Sequence, residues 1–312
     1  MTLPRSVFLG TPEAAVPALR TLASISEVVL VVTRPDRPRG RSGRPRPPAV
    51  KEAALALGLK VAQPAHRSEL LDLLTAHAPL DIGVVTAFGM LIPPGALALP
   101  RAGMVNLHFS LLPRWRGAAP VVAAISAGDQ ESGVTLMKMD EGLDTGPVIA
   151  AASVVIGDEE TGGALASRLA VVGSRLLAAH LSDWLAGSIP VVDQDSTRAT
   201  VAPSLKPRDR ILDLGLSGEE AARRVRALSP DPGAVLNLDG QPHQILAAEP
   251  VRIQMEPAEV RLVNGDLLVG FASGGLRLSI VQPPGRRPLD VGSWLRGLRQ
   301  LPISAMGEQP LR

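Results

Sequence analysis

The first half of the chain alternates short apolar runs with segments of helical periodicity. Six apolar runs bounded by turn residues predict strands near residues 7–10, 28–33, 82–86, 104–107, 133–139 and 148–155. The second run is nearly all β-branched, as expected for a parallel strand buried on both faces. Helical patterns lie near residues 48–57 and 68–77, and a long amphipathic stretch covers 161–187. This alternation predicts an α/β domain with a doubly wound, mostly parallel sheet.

A possible helix start follows the first apolar run. Thr11 precedes Pro12 and Glu13. Proline is favoured at the first helical position, and a threonine before it can accept a hydrogen bond from the first free backbone amides. The order therefore predicts a helix that Thr11 caps.

The pattern changes after residue 187. Residues 188–210 have no periodicity, and we assign 188–206 to a linker. Ser217 and Glu220 form a capping-box pattern, which predicts a short helix ending near Leu228. Short apolar runs then alternate with turn signals such as Asp239-Gly240, which predicts a small β-barrel or sandwich. The chain is thus divided into domains at 1–187 and 207–312.

Composition narrows the class of protein. A chain of 312 residues with 46% hydrophobic residues can build two cores. The absence of cysteine excludes disulfides and thiolate chemistry, and it fits a reducing compartment such as the cytoplasm. Charged residues, proline or glycine interrupt every apolar run before about 18 residues, so we expect no membrane span. The amino terminus lacks the pattern of a secretory signal.

The candidate catalytic residues lie at or just after the ends of two predicted strands. Asn106 and His108 share one face of a strand because side chains alternate with period two. Asp144 follows the 133–139 strand, and we expect it at the same carboxyl edge, where ligands bind in open parallel sheets. An amide, an imidazole and a carboxylate suit acyl transfer to an amine. A histidine taken alone is more often a core residue bonded to backbone. No pair among the five histidines has metal-ligand spacing, so we expect no metal.

Two other enzyme classes fit less well. Asp144-Thr145-Gly146 is typical of aspartic proteases, but these need two carboxylates that share a proton, and the chain has one copy. Gly10-Thr11-Pro12-Glu13 is not the glycine-rich turn of a nucleotide-linked dehydrogenase.

A basic segment follows the second predicted strand. It contains six arginines, with Asp36 as the only acid, and its prolines and glycines are expected to keep it out of helix or strand: Arg34, Arg37, Arg39, Arg41, Arg44 and Arg46. Such a segment is often only a solvated loop. Beside an acyl-transfer site it suits a polyanionic substrate, because arginine pairs bidentately with phosphate. The arginines from Arg277 onward are opposed by few acids, which predicts a second basic surface.

Longer motifs carry a family resemblance. Residues 106–120, Asn-Leu-His-Phe-Ser-Leu-Leu-Pro-Arg-Trp-Arg-Gly-Ala-Ala-Pro, look like the signature of the 10-formyltetrahydrofolate-dependent formyltransferases. Residues 139–146, Met-Asp-Glu-Gly-Leu-Asp-Thr-Gly, resemble their second motif. Residues 9–13 and 33–41 are most similar to the branch of that family that acts on methionyl-tRNA. The resemblance covers the whole chain, most strongly residues 5–187.

The resemblance implies a fold, a reaction and partners. It implies a Rossmann-like formyltransferase domain and an OB-like β-barrel that grips transfer RNA, in a cytoplasmic monomer. Formyl would pass from 10-formyltetrahydrofolate to methionine on initiator tRNA. Asn106 and His108 would polarise the formyl carbonyl, and Asp144 would hold His108. The loop that would line the folate site comprises Ser110, Leu111, Leu112 and Pro113. The six arginines, Arg41 above all, would wedge into the acceptor end of the tRNA.

Two alternatives remain within this resemblance. A sugar-amine formyltransferase would share the folate chemistry without needing the arginines. The other alternative is an RNA-binding protein that keeps the enzyme fold but has lost its activity. Retention of the amide, imidazole and carboxylate together argues against it. The carboxyl-terminal half departs from the family pattern, because Leu214, Asp231 and Val235 replace residues that are usually aromatic.

Overall fold

The computed structural model describes residues 2–38, 43, 45–298 and 305–306. It divides into two compact units. One comprises Met1–Pro120, Glu131–Val154 and Ala166–Ala202, and the other comprises Val121–Gln130, Val155–Leu165 and Pro203–Arg312. The boundaries at 187 and 206 stay a prediction.

The first eleven strands and six helices alternate along residues 5–202. The strands are β1 (Arg5–Gly10), β2 (Glu27–Val32), β3 (Arg37–Pro38), β4 (Pro45–Arg46), β5 (Val61–Ala62), β6 (Ile82–Thr86), β7 (Met104–His108), β8 (Arg116–Gly117), β9 (Glu131–Lys138), β10 (Val148–Val155) and β11 (Val201–Ala202). The helices are α1 (Val16–Ile25), α2 (Ala49–Ala56), α3 (Glu69–Thr75), α4 (Pro94–Leu97), α5 (Pro120–Ala127) and α6 (Gly162–Leu185). Every strand and helix predicted for this half is present, within a few residues at each end.

The main sheet has the order β10-β9-β7-β6-β1-β2-β5. The neighbours from β5 to β7 pair in parallel, and β7 pairs with β9 antiparallel. The prediction of a mostly parallel α/β sheet is therefore confirmed. Alternate positions of the central strands, such as Val7 and Leu9 of β1, are buried in a core with Leu70 and Leu74 of α3. This core also contains Val85 near the carboxyl end of β6 and Met104 at the start of β7.

The predicted cap at Thr11 is wrong. A 3-10 turn, Glu13–Ala15, precedes α1, and its capping position is Pro12. The hydroxyl of Thr11 instead donates to the carbonyl of Phe88, with 2.8 Å between the oxygens. The 3-10 turn begins one residue later than predicted and has no side-chain cap, while the loop after β6 provides a carbonyl to which the hydroxyl donates.

Helix α6 qualifies the expectation about membrane spans. Among the described residues it is the one helix that is long and apolar enough to cross a membrane by length and composition alone. In the apolar stretch of 18 residues that meets this criterion, 44% of the stretch is buried inside the protein. The core helix of a soluble protein meets the same criterion. Leu169, Leu177 and Leu181 are among its buried residues.

The second unit is built on an antiparallel sheet. Its elements are α7 (Gly218–Leu228), β12 (Ala234–Leu238), β13 (Gln241–Val251), β14 (Val260–Val263), β15 (Asp266–Gly270), β16 (Gly275–Gln282), β17 (Leu289–Asp290), α8 (Val291–Arg296) and β18 (Ala305–Met306). The strand order is β14-β15-β16-β13-β12-β18, with β17 beside β16. Ser217 and Glu220 cap α7 reciprocally, as predicted.

The core of this sheet contains Leu236, Phe271 and Leu278, and Leu214 packs against it. One backbone hydrogen bond, from the amide of Ala305 to the carbonyl of Ala258, links β18 to the residues before β14. These elements lie at opposite ends of the strand order. Closure into an OB-like barrel stays a prediction, which this bond supports.

Candidate functional site

The end of β7 carries the first two candidate residues. Asn106 is half-buried and His108 is buried. They lie opposite Met137 and Thr135 of the antiparallel neighbour β9. Because the two residues are two apart on one strand, both side chains project to the same face of the sheet.

Asp144 reaches this face by a route that the sequence did not predict. Because β9 is antiparallel to β7, its carboxyl end lies beside the start of β7 rather than beside His108. The carboxyl ends of β7 and β9 therefore lie at opposite edges, although Asp144 itself does reach Asn106 and His108 as expected. The loop of residues 139–147 turns back instead, and Asp144 adopts a left-handed backbone conformation with φ of 54°. Such conformations are uncommon outside glycine, although aspartate tolerates them better than most residues.

The three side chains meet around the carboxylate. The Nδ2 atom of Asn106 donates to Oδ1 of Asp144 at 3.3 Å. The Nδ1 atom of His108 lies 3.5 Å from Oδ2 of Asp144, and their side chains are only 6% and 13% exposed. The backbone amide of Gly117 also donates to Oδ2, at 2.9 Å. An amide, an imidazole and a carboxylate thus share one largely buried cluster.

The second imidazole nitrogen also has a partner within the protein. Nε2 of His108 lies 2.8 Å from the carbonyl oxygen of Trp115. A carbonyl can only accept, so Nε2 carries a proton in this contact. Nδ1 faces a carboxylate, which is also an acceptor. The surroundings thus favour His108 as a hydrogen-bond donor, the property needed to stabilise negative charge on a carbonyl oxygen.

The candidate folate loop follows β7 directly and is tightly bonded. The hydroxyl of Ser110 donates to the carbonyl of Arg114 at 2.6 Å. The hydroxyl of Thr135 donates to the carbonyl of Ser110 and accepts from the amide of Leu112. Leu111 packs against Gly133, where an added Cβ would lie 2.4 Å from the leucine Cδ2. Leu111, Leu112 and Pro113 are half-buried, so they present apolar surface beside the cluster.

The base of the arginine segment is anchored by one carboxylate. Asp36 accepts two hydrogen bonds from Nζ of Lys51, at 2.8 and 2.9 Å, and one from Nε2 of Gln63 at 2.7 Å. These bonds, the lysine one first, hold the pKa of Asp36 below its usual value. Gln63 also donates to the carbonyl of Arg34.

Part of the arginine segment is a β-hairpin, which corrects the expectation that it forms no strand. Strands β3 and β4 pair antiparallel, with Arg37 opposite Arg46. Two-residue strands tolerate proline here because the pairing is short and at an edge. Both arginines are exposed, whereas Arg34 is half-buried. The remaining predicted positions lie outside the described residues: Arg39, Arg41 and Arg44.

The second basic surface is weaker than predicted. Arg277 donates to Glu249 across β13 and β16, and it lies 3.5 Å from Asp266. The sequence prediction compared these arginines only with the acids that follow residue 277. Glu249 and Asp266 precede it in the chain and were therefore not counted. Among the described residues, no group of three or more His, Cys, Asp or Glu is placed to hold a metal ion.

Sequence reasoning missed a residue of the predicted linker that contacts this site. The side-chain amide of Gln194 donates to the carbonyls of Asp144 and Gly146 and accepts from Nε of Arg116. These partners lie 48 to 78 positions away in the chain. No local pattern could have indicated Gln194, because the segment has no periodicity.

Comparison with known families and proteins accounts for nearly the whole chain. Residues 5–181 match the formyl transferase family, and residues 204–299 match the formyl transferase C-terminal domain. The chain is 44% identical to methionyl-tRNA formyltransferase from Aromatoleum aromaticum over 96% of this chain and 94% of that protein. It is 40% identical to the enzyme of the same name from Myxococcus xanthus, over 99% of each chain.

Solved structures show the same fold at low sequence identity. The sugar 3N-formyltransferase WlaRD, solved in the presence of dTDP and 5-N-formyl-THF, is 15% identical with a TM-score of 0.64, over 92% of this chain and all of that one. HypX from Aquifex aeolicus in complex with tetrahydrofolic acid is 16% identical with a TM-score of 0.63, over 97% of this chain and 51% of that one.

Proposed function

The chain belongs to the formyl transferase family, and on that premise we propose that it transfers the formyl group of 10-formyltetrahydrofolate to the α-amino group of methionine on initiator tRNA. Relatives named methionyl-tRNA formyltransferase align with the chain over nearly their full length. The reaction would supply formylmethionyl-tRNA for translation initiation.

The observation that carries the proposal is the cluster around Asp144. Its carboxylate lies within 3.5 Å of both the Asn106 amide and the His108 imidazole. Formyl transfer to an amine needs donors for the carbonyl oxygen and a group that manages the proton released by the attacking nitrogen. The cluster provides both without a covalent enzyme intermediate.

In the proposed reaction, the amine nitrogen attacks the formyl carbon, and the carbonyl oxygen takes up the displaced electron pair. Asn106 donates its second amide proton to that oxygen. His108 exchanges the Trp115 carbonyl for the same oxygen and donates from Nε2. Removing one such donor typically raises the barrier by about 3–4 kcal/mol. The bond between the formyl carbon and the carrier nitrogen then breaks, and that nitrogen receives the proton given up by the amine.

Asp144 has the supporting part in this scheme. Its carboxylate orients the imidazole through Nδ1 and orients the Asn106 amide through Oδ1. A positioned acid or base contributes roughly 10²- to 10⁴-fold. The amide of Gly117, at 2.9 Å from Oδ2, fixes the carboxylate in turn.

We assign the folate co-substrate to the loop of Ser110, Leu111, Leu112 and Pro113. Three half-buried apolar side chains beside the cluster suit the flat face of a pterin. The bonds from Thr135 and within the loop hold the backbone still, so its remaining polar groups are preorganised for the pterin edge.

We assign the tRNA to the arginine hairpin. Asp36, Lys51 and Gln63 fix its base, while Arg37 and Arg46 remain exposed. Neither arginine lies within 4 Å of a carboxylate of the described residues, so both charges are available to phosphates. The antiparallel domain would add contacts to the RNA backbone. We further propose that the protein acts as a cytoplasmic monomer without metal.

The deciding experiment is incubation with 10-formyltetrahydrofolate and methionyl initiator tRNA, followed by mass analysis of the released amino acid. Formylmethionine is the expected product. Transfer to an amino sugar at an equal or higher rate, insensitive to tRNA, would identify a sugar-amine formyltransferase instead. Binding of tRNA with no formyl transfer and no folate binding would identify an RNA-binding protein that has lost the enzyme activity.

A further inference from the structure

We propose that Gln194, in the segment that follows α6, is a positioning residue that holds the two loops of the catalytic cluster together. This inference rests on the proposed function. One loop carries Asp144, and the other carries Trp115 and Gly117, whose backbone groups bond His108 and Asp144. Gln194 is half-buried and contacts both.

The bonds of Gln194 run in two directions from one amide group. On one side, Nε2 donates to the carbonyl of Asp144 at 2.9 Å and to that of Gly146 at 2.7 Å. On the other side, Oε1 accepts from Nε of Arg116 at 3.0 Å. The side chain is therefore a bridge between residues 144–146 and residue 116.

The chemistry of these partners permits one orientation of the amide. Two carbonyls can only accept, and a guanidinium can only donate. Rotating the amide by half a turn would set oxygen against carbonyl oxygen and nitrogen against guanidinium nitrogen. Because the charged Arg116 guanidinium polarises the amide group through Oε1, it also strengthens the hydrogen bonds that Nε2 donates.

A second set of contacts joins the same segment to the loop of residues 113–119. The hydroxyl of Thr200 accepts from the amide of Trp115 at 2.8 Å, and its carbonyl accepts from the amide of Arg116 at 2.8 Å. Strand β11 then pairs in parallel with β8. Gly117 has φ of 119°, and an added Cβ would lie 2.5 Å from the carbonyl oxygen of Ala202, so this approach requires glycine.

The two loops need such a bridge because their own conformations are unfavourable. Asp144 has φ of 54° and Trp115 has φ of 61°. Residues held in the left-handed region persist only where their surroundings over-determine them. Thr200 fixes the backbone beside Trp115, and Gln194 is the side chain that bonds the carbonyl of Asp144 itself. Removing Gln194 therefore frees the carboxylate to move relative to His108.

The test uses the full-length protein and Gln194→Met, which keeps the length of the side chain and removes its donors and acceptor. Displacement of a catalytic group by about 1 Å can cost roughly 10²-fold. We expect kcat for formyl transfer to fall about 10- to 100-fold, with KM for both substrates within a few-fold. Gln130→Met is the matched control, because the exposed side-chain amide of Gln130 donates to the nearby carbonyl of Gly128 and takes no part in the cluster.

A merely structural role would lower the melting temperature instead, so unfolding is followed alongside kcat. A double-mutant cycle with Asp144→Asn adds the specific readout. If Gln194 acts through Asp144, Gln194→Met costs little more than about two-fold in the Asp144→Asn background. An unchanged kcat in Gln194→Met, or equal losses in both backgrounds, overturns the inference. A wild-type protein without formyl transfer would instead refute the proposed function.

Discussion

Replacing Asp144 by asparagine removes one negative charge and keeps the shape of the side chain. In the native site Oδ2 accepts from the Gly117 amide and faces His108, while Oδ1 accepts from Asn106. Asparagine has only one oxygen, and the backbone amide of Gly117 cannot invert. The oxygen therefore stays near Gly117, and the new amide nitrogen faces Asn106.

This arrangement forces a second change. Nδ2 of Asn106 cannot donate to another amide nitrogen, so its side chain must turn and present its own oxygen. Its N–H groups then leave the position from which they would stabilise the oxyanion. Loss of one such donor costs about 3 kcal/mol.

Loss of the charge adds a further penalty. Oδ2 lies 3.5 Å from Nδ1 of His108, and a carboxylate is a stronger hydrogen-bond acceptor than a neutral amide oxygen. A hydrogen bond to a charged group contributes about 2 kcal/mol, and we count that much toward transition-state stabilisation. Since each 1.36 kcal/mol is tenfold in rate, kcat should fall about 10³- to 10⁴-fold.

The assay is single-turnover formyl transfer at saturating folate and tRNA, with tRNA affinity measured separately. Asp140→Asn is the matched control in the same loop, because among the described residues the Asp140 carboxylate bonds Thr145 and the Gly142 amide and not the cluster. We expect that control to retain kcat within about tenfold. The reasoning fails if Asp144→Asn also stays within about tenfold of the wild type, or if both variants lose activity equally.

Three further predictions test other parts of the proposal. His108→Ala should nearly abolish turnover with tRNA affinity almost intact, and turnover within a few-fold of wild type would remove His108 from catalysis. Arg41→Ala should weaken tRNA binding and lower the slope of log affinity against log salt by about 1; normal affinity and slope would exclude this arginine from the RNA contact. Because the folded-state pKa of Asp36 is depressed, its stabilising effect is complete at neutral pH and is lost as pH falls through that pKa, below the ordinary value of 3.8. Asp36→Asn should therefore lose less melting temperature than wild type on acidification from about pH 7 to about pH 3, and equal losses would contradict this.

Local patterns predicted the elements of the fold well. The apolar run at residues 148–155 is strand β10 without any shift, and the pattern at 161–187 is helix α6. The capping box predicted at Ser217 and Glu220 is present at the start of α7. These features depend on neighbours within a few residues, and the periods of 2 and 3.6 carry that information directly.

The candidate catalytic residues Asn106, His108 and Asp144 could also be named from the sequence, but the reason for their convergence could not. Strand β9 has the same apolar run whether it pairs parallel or antiparallel, because both faces are buried. Only the assembled sheet decides its direction, and the direction requires Asp144 to return by a loop with a left-handed backbone.

Tertiary structure alone decided the rest of the site. Gln194, Thr200 and the carbonyl of Trp115 act through partners distant in sequence, so no spacing within the chain marks them. Thr11 shows the same limit, since its hydroxyl donates to the carbonyl of Phe88, 77 residues away in the chain. Periodicity records which side chains avoid water, whereas a hydrogen bond between distant loops depends on where the completed fold places them.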